Sequence, residues 1–316
     1  MSEIAFLPAE LPRTAELRAT PFLISICIPT YNRLADLKQC IEAILSTYAD
    51  SPHVEIVVID NGSTDETRAF LTDTNKFNNT SFYSRPQNAG FDINLLDCFR
   101  KAKGDYVHFL GDDDVLRVKE FDGLLSLLRS SAPDMVVSDY LINTKNKSFC
   151  AVGRPAATFE RIEDLFSFVG HHVTFMSSIT LRRQAVSLQS MSKYINFKFM
   201  HISLILELLS GKNHKLVYSP NPIAVATDGN AATYNVAQIF LSDLFRSVEL
   251  NLRQLDIRRL DPFLVSIICH CVGSRGSLVR ILFCNPIIGA RGLGILFRAS
   301  IAASLLKRTA KKLLGK

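Results

Sequence analysis

Past Asp261 the chain has no acidic residue, although nine Arg and Lys residues lie between Arg275 and Lys316. Setting those nine against the net charge of +6 leaves the first 274 residues at −3, so the basicity belongs to the tail and says nothing about the main body. The tail also lacks a long hydrophobic run. From Ser277 onward the longest uncharged stretch is Ile281–Ala290, far short of the roughly 20 apolar residues that cross a bilayer. A basic, acid-free segment of this kind suits an anionic membrane surface, where each cation is worth about 1 kcal/mol. A helical cap on the main body is the other reading. Aromatic stacking residues are sparse there, which argues against nucleic acid.

Metal-ligand spacing is missing among the cysteines. The seven are scattered, and Cys269-His270-Cys271 lacks both the spacer and the second pair of a zinc site. They read as reduced core residues of a cytosolic protein. Residues 1–20 carry Glu3, Glu10 and Glu16 without an apolar core of signal-peptide length, so this stretch reads as a loose leader with no secretion signal. The absence of internal repeats and low-complexity segments sets aside a repeat architecture.

What is present is an alternation of two hydrophobic periods over 316 residues, enough for one large domain with an appendage or for two modest ones. Phe22–Ile28 is an apolar, β-branched run stopped by Pro29, the pattern of a strand buried on both faces. Leu34, Leu37, Cys40, Ile41, Ile44 and Leu45 then recur at helical spacing. Val54–Ile59 predicts a second strand, and Ser63 or Thr64 a cap for a helix through Leu71. A strand at Ser81–Tyr83, a helix over Asn94–Ala102 and a strand at Tyr106–Leu110 follow. Such alternation predicts an α/β fold with a mostly parallel central sheet flanked by helices. Farther on, the pattern predicts a helix at Leu124–Leu128, a strand at Met135–Asp139 and a helix at Ile162–Val169. Phe175–Leu181 reads as extended, Ile202–Leu209 as helix, and Lys215–Tyr218 as a last short strand before Pro220. From about Val236 the pattern is helical, and a soft boundary near Ala231 separates a domain over 21–230 from a helical, basic region over 231–316.

In parallel sheets ligands bind beyond the carboxyl ends of the strands, and four polar clusters fall there: Thr30-Tyr31-Asn32-Arg33, Asp60-Asn61-Gly62, Asn88-Ala89-Gly90 and Asp112-Asp113-Asp114. Three adjacent carboxylates repel one another, so the last cluster makes sense when a cation arrives to neutralise it. Oxygen ligands suit Mg2+ or Mn2+, which take one or two protein carboxylates plus nucleotide phosphates. The alternative is a solvated acidic turn capping the helix that begins near Val118. Thr30 and Tyr31 offer a hydroxyl and an aromatic face for a pyrimidine base, or Tyr31 simply covers the rim. Asp60 could accept a base N–H or a ribose hydroxyl; Asp-Asn-Gly-Ser is also plain turn chemistry, and the two roles are compatible.

The motifs Ile28-Pro29-Thr30-Tyr31-Asn32-Arg33, Val58-Ile59-Asp60-Asn61-Gly62-Ser63-Thr64-Asp65, Asn88-Ala89-Gly90, and Gly104-Asp105-Tyr106 leading into Gly111-Asp112-Asp113-Asp114 together resemble the family 2 glycosyltransferases. The resemblance is close over about residues 22–120 and loose over 121–230. Gly90-Phe91-Asp92-Ile93-Asn94 with Phe109–Asp114 is most similar to the abequosyltransferase-type enzymes of bacterial surface polysaccharide assembly. It implies a GT-A fold with a helical C-terminal extension and a UDP-, CDP- or dTDP-linked sugar as donor. The donor contacts it implies are Pro29, Thr30, Tyr31, Asn32, Arg33, Asp60, Asn61, Asn88, Gly90, Asn94, Asp112 and Asp113. It also implies Mn2+ or Mg2+ on Asp114 and Asp112, with Asp113 and His201 as catalytic candidates.

Where many relatives supply a carboxylate base, the stretch here is Phe197-Lys198-Phe199-Met200-His201-Ile202, and His201 takes the place. Histidine is able to act as a base near neutral pH, or it hydrogen-bonds a phosphate or the acceptor. This departure leaves the stereochemical course open. His171 and His172 precede the Thr174–Leu181 stretch of acceptor contacts and read as ordinary loop residues, while Asp139 is a further acceptor-side candidate. The resemblance implies a lipid-linked saccharide acceptor at the cytoplasmic face of a membrane and no nucleic acid. A nucleotide-sugar-binding or scaffold protein that has lost turnover is the alternative. A nucleotidyltransferase is disfavoured, because no Gly-rich loop with an Arg-Lys pair follows the first strand.

Overall fold

Helices cover both faces of the leading strands, which is why those strands are apolar on both sides. The computed structural model describes residues 9–10, 22–74, 77–143, 147–183, 193–195, 199–211, 213–226, 248, 251 and 255–273. The strands are β1 (Ala9–Glu10), β2 (Ile24–Thr30), β3 (Val54–Asp60), β4 (Thr80–Ser84), β5 (Tyr106–Phe109), β6 (Val115–Leu116), β7 (Met135–Asn143), β8 (Ser148–Cys150), β9 (Ala157–Phe159), β10 (Ile179–Arg182) and β11 (Leu216–Ala226). The helices are α1 (Leu34–Tyr48), α2 (Thr67–Thr74), α3 (Phe91–Lys101), α4 (Val118–Ser131), α5 (Ile162–Val169), α6 (Met200–Leu208) and α7 (Ile257–Gly273).

One sheet joins them in the order β1-β4-β3-β2-β5-β10-β7-β11-β6. β4, β3, β2 and β5 run parallel, β10 enters antiparallel between β5 and β7, and β7 pairs parallel with β11. Ile24, Ile26 and Ile28 pack on α1 and α4, whereas Cys27, Val57 and Ile59 face α3 and α6. Each such fully buried large side chain contributes roughly 1.5–3 kcal/mol. A third cluster lies under β7, β10 and β11, where α7 places Leu260, Phe263, Leu264 and Ile267 against Ile162, Leu165 and Phe166 of α5. Part of the region beyond 231 therefore shares the main core. The boundary near Ala231 and the tail from Ser277 lie outside the described residues.

Several local expectations are corrected. The strand expected to stop before Pro220 continues through Pro220 and Pro222, with a register shift between Ser219 and Ala224 that takes the prolines out of the ladder. Phe175–Leu181 is not extended throughout; Met176–Ser178 forms a 3-10 turn before β10. Neither Ser63 nor Thr64 caps α2, because the Asp65 carboxylate takes the Thr67 N–H instead. The acidic triplet does not cap α4, whose N-cap is Arg117 without a side-chain cap bond. Within the leader, Ala9–Glu10 pairs antiparallel with β4.

Candidate active site

Because β10 is antiparallel to β5, its leading end lies beside the trailing end of β5, with Leu181 opposite Val107. Residues just before β10 therefore meet residues just after β5. Between them and the ends of β2 and β3 opens a cavity of about 520 Å³. Pro29, Thr30, Tyr31 and Arg33 line it from β2, Asn61 from β3, and Asn88, Gly90, Phe91 and Asn94 from the entry to α3. Gly111, Asp112, Asp113 and Asp114 line it after β5, and Thr174, Phe175 and Met176 form the wall next to them.

The triplet already has a cation of its own. One Arg33 guanidinium nitrogen lies 3.1 Å from Asp112 and 3.0 Å from Asp113, and the Thr30 hydroxyl donates to Asp112 at 2.7 Å. Burial nevertheless pushes the Asp112 carboxyl up to about 6, against the pull of Thr30 and Arg33. The Asp114 carboxylate accepts the Ser177 hydroxyl at 2.5 Å, and that hydroxyl in turn accepts the Gly111 N–H at 2.8 Å.

Asparagines hold the loops that carry the remaining contacts. Asn61 donates to Asn88 Oδ1 and to the Gly90 carbonyl and accepts the Ala89 N–H, while Asn94 donates to the Ile59 carbonyl. Gly62 has φ +75°, and a Cβ there would stand 2.6 Å from the Gln87 backbone, so this crossing of two loops requires glycine.

Three expected site residues are not in the cavity lining. Asp60 is fully buried, its carboxylate taken by the Ser63 N–H and the Ser84 hydroxyl, which is turn chemistry. Asn32, at φ +53°, accepts from Thr64 and ties the loop after β2 to the loop after β3. His201 stands behind the wall, its Nε2 3.3 Å from the Thr174 carbonyl, and burial pushes its imidazole down to about 4. His171 bonds Ser266 of α7 through Nδ1, and His172 meets the Tyr140 hydroxyl. Asp139 is consumed by the N–H groups of Val152 and Gly153 and by the Tyr218 hydroxyl. Thr174, Phe175 and Met176 were only a stretch of acceptor contacts in the sequence, and Ser177 carried no signal of its own. Phe91, 43% exposed beside Gly90, had one in being a bare aromatic next to a motif.

Among the described residues no group of three or more His, Cys, Asp and Glu side chains could hold a metal ion alone. The donor set nevertheless fits a hard divalent cation that completes its shell with phosphate oxygens, since such ions need only one or two protein carboxylates. Asp112 and Asp114 would be those ligands.

A mixed sheet with parallel strands β4, β3, β2 and β5 carries this cavity at its carboxyl edge, and the fold is of the GT-A glycosyltransferase type: 81% of the chain superposes on Staphylococcus aureus TarS (residues 1–349) solved with UDP-GlcNAc. The TM-score is 0.61 at 13% identity, covering 77% of that chain. A mannosyltransferase from Pyrobaculum calidifontis, solved with GDP-Man and Mn2+, superposes at TM-score 0.50 and 13% identity over 96% of this chain and 92% of its own. The model of glycosyl transferase family 2 matches residues 25–187, and the chain belongs to that family. Abequosyltransferase RfbV of Salmonella typhimurium is 25% identical over 230 residues, 66% of this chain and 67% of that protein. The low-salt glycan biosynthesis hexosyltransferase Agl6 of Haloferax volcanii is 28% identical over 140 residues, 44% of this chain and 32% of its own.

Among the described residues no helix is long and apolar enough to cross a membrane.

Proposed function

We propose that the chain transfers a sugar from a nucleotide diphosphate donor to a saccharide acceptor, lipid-linked, in the assembly of a bacterial surface polysaccharide. The observation that carries this reading is the convergence of Thr30, Tyr31, Asn88, Gly90 and Asn94 with the Asp112–Asp114 triplet on one cavity. Tyr31, 39% exposed at the rim, offers its face to the base. Asp112 and Asp114 would hold Mn2+ or Mg2+, which when bound offsets the charge of the departing diphosphate. Arg33, in contact with Asp112 and Asp113, places a second positive charge at the same point. The acceptor enters along Thr174–Met176. Asp113 is the catalytic candidate that lines the cavity; His201 supports the wall from behind.

RfbV and Agl6 support the glycan-assembly reading through their names. A mass-spectrometric screen of UDP-, CDP- and dTDP-sugars with a lipid-linked saccharide tests it: sugar-dependent release of the nucleoside diphosphate is the expected result. Donor binding without release for every sugar would favour the second reading, a nucleotide-sugar-binding protein. What favours that reading here is a wall, Thr174–Met176, without a carboxylate. The basic tail serves as the attachment to the inner leaflet, raising the effective concentration of a membrane-confined acceptor. Removing 277–316 should abolish co-sedimentation with anionic vesicles and leave donor binding near the parent value. Sedimentation of the truncated chain would make the tail a structural cap.

A further inference from the structure

We propose that Ser177 is a positioning residue for Asp114, setting the orientation of this carboxylate toward the cation of the proposed reaction and tying it to the acceptor-side wall. The inference rests on the cation-dependent reading given above and concerns a residue that reading does not use.

The geometry leaves the Ser177 hydroxyl one arrangement. A backbone N–H only donates and a carboxylate only accepts. Ser177 Oγ therefore takes the Gly111 N–H at 2.8 Å and must send its own proton to Asp114 Oδ2, 2.5 Å away. The Asp114 N–H closes the turn on the Gly111 carbonyl at 3.2 Å. A Cβ at position 111 would stand 2.7 Å from Asp114 Oδ2, so only glycine leaves the carboxylate room to fold back and meet Ser177. Ser177 is wholly buried and sits in the 3-10 turn Met176–Ser178, directly after the wall residues Thr174–Met176, the last of which opens the turn. A carboxylate hydrogen-bonded in this way keeps one orientation whether or not a cation is present. Outer hydrogen bonds to metal ligands of this kind are typically worth 10–100-fold in affinity.

The competing role is structural, in which Ser177 merely satisfies the buried Gly111 N–H. Both roles predict that Ser177→Ala melts earlier, since the buried Gly111 N–H loses its acceptor. Only the positioning role moves cation affinity. The experiment titrates Mn2+ into the full chain, alone and with UDP present, reading free Mn2+ by electron paramagnetic resonance, with thermal melts to establish that each variant is folded. Asp114→Ala should abolish binding, Ser177→Ala should weaken it by about 10–100-fold, and Ser177→Thr, which keeps the hydroxyl, should bind near the parent value. If Ser177→Ala does not fold, Ser177→Cys, of similar shape but a weak donor, should show the same loss. Parent-like Mn2+ affinity in folded Ser177→Ala or Ser177→Cys, with Asp114→Ala inactive in binding, overturns the positioning role and leaves the cation reading standing. A parent chain that binds no Mn2+ either alone or with UDP present, or an Asp114→Ala chain that binds it equally, overturns both.

Discussion

Arg33 stands 3.1 Å from Asp112 and 3.0 Å from Asp113, so the like-charge repulsion inside the triplet is partly answered before any ligand arrives. Thr30 contributes a second contact to Asp112, yet burial still holds that carboxyl up near 6. The site is thus short of positive charge rather than devoid of it, a shortage that the proposed divalent ion would make good. Asp114 differs from its neighbours in being held by the Ser177 hydroxyl rather than by the guanidinium contacts of Asp112 and Asp113. Asp114→Ala should therefore cut turnover stimulated by Mg2+ or Mn2+ by at least the 10–100-fold that outer partners of a metal ligand are worth. Stability should hardly move, because losing one hydrogen bond, about 1 kcal/mol, is offset by relief of repulsion with Asp112 and Asp113. Turnover with and without a chelator, alongside a melt, checks both halves. Parent-level activity of the variant with both metals would remove Asp114 from the cation site.

At the level of elements, the stretch from the end of α5 to the start of β10 is clamped from three sides. Ser266 of α7 accepts the His171 N–H at 3.0 Å, Phe175 lies 4.1 Å from the Tyr140 ring, and His201 of α6 meets the Thr174 carbonyl. In the proposed reading His201 supports the cavity wall through that carbonyl, so His201→Ala should raise the acceptor KM about five- to tenfold, the equivalent of one buried hydrogen bond, with kcat little changed. A fall in kcat of about 10²–10⁴ at constant donor affinity would instead make it a base. The strands leading into the site were legible because burial on both faces writes an unbroken apolar run, as in Ile26–Ile28 and Ile56–Ile59. The polar clusters after them were legible because each ends such a run. Ser177 was not, since its partner is 63 positions away and only the antiparallel entry of β10 brings them together. Asp60 was ambiguous for a different reason: the turn it builds and the contact it was expected to make use the same carboxylate, and its bond from Ser84, a strand away, has no trace in the local sequence.

For the molecule as a whole, the sheet and its covering helices enclose two imidazoles that burial keeps neutral. His108, at the centre of β5, is pushed down to about 3, and His201 to about 4. In the unfolded chain both take a proton near pH 6.5. Below that pH the unfolded state binds protons the folded state refuses, so stability present above about 6.5 drains away as the pH falls toward the folded values. Asp112 works the other way, since its folded value near 6 lies above that of a free carboxyl, and the folded state takes its proton first. Two groups against one leave a net loss on acidification, each changing stability by about 1.4 kcal/mol per pH unit within its window. His108 is the cleaner test, because it lies in the core beside Phe121, and its Nε2 has no partner among the described residues. His108→Leu removes one titration and gives up the Thr180 contact of Nδ1, a cost that does not depend on pH in this range. Chemical denaturation in steps from pH 8 to 4 should give parallel stabilities for parent and variant above about 6.5. Below it the variant's slope should be shallower by about 1.4 kcal/mol per unit. Equal slopes down to pH 4 would mean that His108 is protonated in the folded chain, and that the centre of the sheet is open to water.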